Sequence, residues 1–287
     1  MCDHEIHPGL VEDWSVTRRT FVATGAAVAG FASACARAAE TVVEREVAVT
    51  TPDGVADSVL FHPAGSGSWP AVLVWPDIMG LRPVFREMGR RLAAEGFVVL
   101  VPNPFYRSRK APVIDGNFDF GNAEARQTLF AYRAAMSDTG VDRDAAAFLA
   151  FLDAQPQTAR DRKAGVQGYC MGGPLSFRTA AAVPGRIGAV ASFHGAGLAT
   201  DRPDSPHLLI PRTEAAYLVA VAKNDDAREP EAKTVLTQAL AAAGRPATVE
   251  VYAADHGWCV PGSQAYAHEA AERAWAELLR LYTAALA

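Results

Sequence analysis

From residue 40 onward, short β-branched runs alternate with longer segments of helical spacing. The runs 44–49 and 55–61 flank a Thr-Pro-Asp-Gly turn and predict an opening hairpin. The runs 71–75 and 97–101, AVLVW and FVVLV, are apolar throughout and read as buried strands. Residues 83–95 between them take helical spacing, with Pro83 in the first turn and Gly96 just past the end. Helical spacing returns at 122–136 and 141–154, and a short strand at 163–167 enters Gly-Tyr-Cys-Met-Gly-Gly. Strands are predicted at 187–193, 216–222 and 248–252, and helices at 173–182, 231–243 and 263–286. This alternation specifies an α/β protein with a mostly parallel central sheet and helices on both faces. Residues 102–121 form a long irregular loop after a strand, where such proteins place binding residues.

The chain has 287 residues, half of them hydrophobic, enough to bury one large core, and residues 40–287 are expected to form one domain. The net charge is −5 and Lys and Arg are scattered, so no basic stripe points to nucleic acid. Nothing after the first forty residues approaches the roughly 20 uninterrupted apolar residues of a membrane span. The first 39 residues differ: an acidic lead, then Thr17-Arg18-Arg19-Thr20-Phe21-Val22, then a weakly apolar run rich in Ala and Gly. They resemble a twin-arginine export signal, and Ala36-Arg37-Ala38 fits a signal-peptidase site, so an exported, periplasmic mature chain is expected. An amphipathic first helix is the alternative, and Cys35 is an alternative lipid-attachment point. Of the four cysteines, cleavage would leave Cys170 and Cys259, too few for a disulfide framework.

A chemical role for cysteine is therefore the sharper question. Gly168-Tyr169-Cys170-Met171-Gly172 lies between a predicted strand and a predicted helix, the setting of a nucleophile elbow. The flanking glycines suit a strained turn, the following helix points its positive end at the sulfur, and the Met171 N–H would face a developing oxyanion. The competing reading is a cysteine buried as a small hydrophobe. Chain order favours the elbow, because hydrolases of this architecture run nucleophile, acid, His. Asp225 or Asp226 follows the strand at 216–222, with Asp225 preferred, and His256 follows the strand at 248–252. A parallel sheet brings those strand ends to one edge. His256 would take the thiol proton and return it to the leaving group, with the carboxylate fixing its tautomer. His194, also after a strand, is the rival base. Ser176 and Ser192 lack glycines on both sides and make poor elbow serines, and the histidines are too scattered to suggest a metal.

GYCMGG, the A-K-N-D-D turn, the D-H-G-W-C-V-P-G segment and the final AAERAWAELL helix resemble the dienelactone hydrolase family of α/β-hydrolases, from residue 43 to the end. The resemblance implies hydrolysis of a small-molecule ester or lactone without metal or organic cofactor. It also implies that Ile78 supplies the second oxyanion N–H. Asp77 stands where the family carries a Glu near the thiol, and Arg107 where it carries an arginine for a substrate carboxylate. A second family arginine after the catalytic His is absent here, where Gly257-Trp258-Cys259-Val260 stands. A less charged substrate is expected, with Trp258 either an apolar wall of the pocket or plain packing. Cys259, three residues beyond His256, is expected to be able to pair with Cys170. An exported ligand-binding or thiol-redox protein on the same fold is the alternative function, although no C-x-x-C occurs. The oligomeric state is not legible.

Overall fold

The computed structural model describes residues 41–114 and 121–287. The leader-like segment, with its twin arginines and Cys35, lies outside them. β1 (Val42–Thr51) and β2 (Gly54–Pro63) form the expected antiparallel hairpin around Pro52-Asp53. β3 (Ala71–Trp75), α1 (Pro83–Ala94), β4 (Val98–Pro102), α2 (Ala123–Ala134), α3 (Asp138–Asp153), β5 (Ala164–Tyr169) and α4 (Gly172–Ala182) follow. The chain continues through β6 (Ile187–Phe193), a 3-10 helix (Pro206–Arg212), β7 (Ala216–Ala222), α5 (Lys223–Arg228), α6 (Ala232–Ala242), β8 (Ala247–Tyr252) and α7 (His268–Ala285).

The eight strands make one sheet in the order β1-β2-β4-β3-β5-β6-β7-β8. β2 pairs antiparallel with β4, and every pairing from β4 onward is parallel. Side chains alternate across this sheet, so each strand feeds two cores. Leu60, Leu73, Trp75, Leu100 and Val166 face the layer under α3, α4 and α6. Val59, Phe61, Val72, Val74, Val99 and Val101 face the layer under α1 and α7. That double coverage is why β3 and β4 contain no polar residue before their ends. Each fully buried Leu, Val or Phe contributes roughly 1.5–3 kcal/mol, and a domain keeps only about 5–15 kcal/mol net. One such side chain is thus a sizeable share of the total, which keeps the strand register fixed.

Two elements depart from expectation. The last helix starts at His268 rather than at 263, because the backbone N–H groups of Ser263, Tyr266 and Ala267 bond to Val260 O, Ser263 O and Trp258 O in successive turns. Lys223–Arg228, expected as a loop, is a short helix that continues directly from β7. Among the described residues, no helix is long and apolar enough to cross a membrane.

Candidate active site

The parallel strands deliver their C-terminal ends to one edge, with Tyr169 beside Phe193, Phe193 beside Ala220, and Ala222 beside Tyr252. At the centre of that edge, Cys170 adopts φ +52, a left-handed conformation rare for a residue with a Cβ. Such strain costs on the order of 1–3 kcal/mol and persists only where the surroundings enforce it. Here the Cys170 N–H donates to Phe193 O at 3.0 Å and the Gly173 N–H to Cys170 O at 3.0 Å. A Cβ on Gly168 would lie 1.8 Å from Gly172 O, and one on Gly172 would lie 2.4 Å from Trp75 O. Backbone cannot yield at those distances, so both glycines are required. The Trp75 indole N–H donates to Thr179 Oγ1 at 2.9 Å and pins the end of β3 to α4. Beneath the elbow, Gln167 donates to the Tyr169 hydroxyl (2.7 Å) and accepts from that of Tyr282 (3.0 Å), satisfying three buried polar groups. The sulfur is partly exposed and lies next to the N-terminal end of the 11-residue α4.

The base and its orienter come from the ends of β8 and β7. The Lys223 N–H donates to Ala254 O at 2.9 Å, and the His256 N–H to Asn224 Oδ1 at 2.8 Å, which ties the two loops together. His256 Nδ1 bonds Asp225 Oδ2 at 2.6 Å, which leaves Nε2 free of that carboxylate, and Cys170 lies close enough to raise the pKa of the ring. Asp225 is 6% exposed, and its other oxygen accepts from Arg228. The neighbouring Asp226 turns away to Lys233 Nζ at 2.6 Å, so of the two candidates it is Asp225 that meets the histidine. Burial opposes charge on His256. The Asp225 hydrogen bond, the Cys170 hydrogen bond and their negative charge outweigh it and push the imidazole up to about 10.

His194, the rival base, sits one residue past β6 at φ +40 and is 1% exposed. Its backbone N–H donates to Ala220 O at 2.8 Å. Burial, and then the charge of His256, hold its pKa well below the usual histidine range. Neither ring nitrogen has a hydrogen-bond partner among the described residues. The carboxylate is on His256, and His194 stands behind it. Trp258 is fully buried and stacks on Tyr252 with centroids 4.5 Å apart, so it packs behind His194 and does not wall a pocket. Ser176 and Ser192 are completely buried, which removes them from contact with substrate.

The remaining expected site residues divide. Met171 opens α4 beside the elbow, and Ile78 lies on the loop leaving β3, whose Trp75 and Pro76 carbonyls press on Gly172. Neither the Met171 nor the Ile78 backbone N–H meets an acceptor among the described residues. Asp77 does not bond the sulfur: both its oxygens are gripped by Arg82, at 2.6 and 2.8 Å. Arg107 does not present an open fork, because Asp144 takes both its terminal nitrogens (2.6 and 2.8 Å) and Asp53 takes Nη2 again (2.6 Å). Cys170 and Cys259 are both free, and they pack into the apolar layers on opposite sheet faces. The expected pairing is therefore not present, and burial pushes the Cys259 thiol pKa well up. Sequence reasoning missed Arg82, Asn224 and Arg228. Only Asn224 carried a signal, as a polar residue at a strand end next to a candidate acid. Among the described residues, no three His, Cys, Asp or Glu side chains gather as a metal site.

The model of the dienelactone hydrolase family matches residues 56–286. Carboxymethylenebutenolidase of a Pseudomonas species is 30% identical over 216 residues, covering 75% of this chain and 84% of that protein. The crystal structure of dienelactone hydrolase from Anabaena variabilis aligns with a TM-score of 0.55 at 20% identity, over 86% of this chain and 99% of that one. A dienelactone hydrolase-like promiscuous phosphotriesterase from metagenomic libraries aligns with a TM-score of 0.68 at 23% identity, over the same shares. At such identities the structural likeness speaks for the α/β-hydrolase fold alone. With its family model spanning the sheet from β2 through α7, the chain belongs to the dienelactone hydrolase family.

Proposed function

We propose that the chain hydrolyses a small, uncharged ester or lactone through Cys170, His256 and Asp225. The observation that carries this reading is His256, bonded to Asp225 through Nδ1 and near enough to Cys170 for that residue to raise its pKa. The sulfur attacks the carbonyl carbon and the carbonyl electron pair moves to oxygen, where the Ile78 and Met171 N–H groups receive it. Such donors are worth about 2.7–4 kcal/mol each in comparable sites. The tetrahedral adduct collapses, the C–O bond breaks, and the imidazolium protonates the departing alkoxide, leaving a thioester. In a lactone that alkoxide stays tethered to the acyl group. The neutral imidazole then takes a proton from water, whose oxygen attacks the thioester. Collapse expels the sulfur and completes the carboxylic acid.

The preference for uncharged substrates follows from the cations. Arg107 and Arg82 are each occupied by carboxylates of the chain, and residues 257–260 offer no positive charge. Turnover of p-nitrophenyl acetate by the parent, Cys170→Ala and His256→Ala tests the reading. Activity is expected in the parent only, and a parent without turnover would point instead to a binding protein on this fold. The twin-arginine segment extends the proposal to a periplasmic location. Fractionation of cells carrying the parent and an Arg18→Lys, Arg19→Lys variant tests it, with retention of the variant in the cytoplasm expected.

A further inference from the structure

The loop between β3 and α1 is more tightly bound than its role as a connector requires. The Gly80 N–H donates to Asp77 O at 2.9 Å, closing a β-turn with Ile78 and Met79 at its centre. The Met79 N–H donates to Asp77 Oδ1, also at 2.9 Å. Of the three N–H groups that follow Asp77, two are thereby consumed within the turn, and the Ile78 N–H is the one left over. In a β-turn the first central N–H points out of the loop, away from the turn's own hydrogen bond. Everything that selects it runs through Asp77.

Asp77 is in turn held by Arg82. The guanidinium places Nη1 2.6 Å from Oδ1 and Nη2 2.8 Å from Oδ2, and Nη1 also reaches Gly80 O at 3.3 Å. One side chain thus clasps the first and last residues of the turn. It is itself fixed at the start of α1, next to Pro83, with its guanidinium carbon 4.9 Å from the ring centre of the buried Phe85. The segment just before the turn abuts the elbow, since a Cβ on Gly172 would lie 2.4 Å from Trp75 O and 2.8 Å from Pro76 O. A slip of the turn therefore moves the Ile78 N–H relative to Cys170.

The geometry points to Arg82 as a positioning residue of the oxyanion hole, acting through Asp77 on the Ile78 N–H. It touches neither substrate nor sulfur. The inference rests on the proposed hydrolase reading and assigns it a component that the β3 segment conceals, five residues from the acid it grips.

The test compares parent, Arg82→Gln, Arg82→Lys and Asp77→Asn with p-nitrophenyl acetate and with a trifluoromethyl ketone, which forms a tetrahedral adduct on the sulfur. Arg82→Gln is expected to lower kcat by about 10- to 100-fold, with KM within about threefold, because misplacing a donor by an ångström costs on that order. Binding of the ketone should weaken by the same factor as kcat/KM. Arg82→Lys should recover part of the loss, since one ammonium bonds one oxygen but cannot fork both. Asp77→Asn, which keeps an acceptor for Met79, should also fall in kcat and serves if Arg82→Gln does not fold. Alkylation of Cys170 by iodoacetamide, at the plateau of its pH profile, develops no oxyanion and should keep the parent rate in every variant. Parent-like kcat in the folded variants, a loss confined to KM, or an equal loss in alkylation would overturn the inference. Full turnover by Cys170→Ala would instead overturn the hydrolase reading beneath it.

Discussion

His194 stands edge-on to His256, with ring centroids 4.7 Å apart and planes inclined by 63°, and their surroundings push the two imidazole pKa values in opposite directions. Burial and the nearby charge of His256 lower the pKa of His194, while the Asp225 hydrogen bond and Cys170 raise that of His256.

That relationship predicts a difference between two substitutions. His194→Phe keeps a ring against His256 and removes two buried nitrogens that lack partners, each worth about 1–3 kcal/mol when unmet. It should retain most of the parent kcat and melt no lower than the parent. His194→Ala leaves a void, costs about 2–4 kcal/mol by analogy with other large-to-small core changes, and should lower kcat. Thermal melts and steady-state kinetics on both variants check this, and equal losses of kcat would show that the nitrogens matter.

Stability should depend on alkaline pH through His256. Its folded value is raised to about 10, against roughly 6.5 in the unfolded chain. The stabilisation is fully present below the unfolded value and is lost as pH rises toward the folded one, because the native state then binds the extra proton. Urea midpoints measured from pH 6 to 10 should fall more steeply in the parent than in His256→Asn. Parallel profiles for the two proteins would contradict the assignment.

Arg107 is predicted to matter for stability and not for selectivity. Its partner Asp144 is 1% exposed, and breaking a buried pair by removing one partner costs about 3–5 kcal/mol. Arg107→Ala should melt well below the parent. The ratio of kcat/KM for a neutral ester to that for its carboxylate-bearing analogue should stay as in the parent. A loss of activity confined to the charged analogue would restore the arginine to the substrate site.

At the elbow, Cys170→Ser should retain a trace of activity, above that of Cys170→Ala. The N–H donors and His256 remain in place, but a hydroxyl is far less ionised than a thiol. Assays of both variants with p-nitrophenyl acetate check the order, and parent-like rates in Cys170→Ser would count against a sulfur anion as the nucleophile.

Much of this was legible in the sequence because it is written locally. Apolar runs such as AVLVW mark strands covered on both faces, and glycines on either side of Cys170 mark a turn where any Cβ would strike backbone. The order Cys170, Asp225, His256 along the chain was enough to suggest convergence at one sheet edge. What remained hidden depends on partners far apart in sequence. Arg107 looked available until Asp144 and Asp53, from α3 and the first hairpin turn, filled its fork. Which of Asp225 and Asp226 meets His256 depends on α5, a six-residue helix with no sequence signal, which directs one carboxylate to His256 and the other to Lys233. Trp258 has the composition of a pocket wall and the packing of a core residue, and its full burial and its stacking on Tyr252 distinguish the two.

The most direct measurement is intact-protein and peptide mass spectrometry of the parent, quenched in acid during turnover of p-nitrophenyl acetate. The account predicts an acetyl group on the peptide containing Cys170, released by hydroxylamine as a thioester is, that forms and decays at rates compatible with kcat. An acyl group found on a serine, or product formation with Cys170 never acylated, would contradict it.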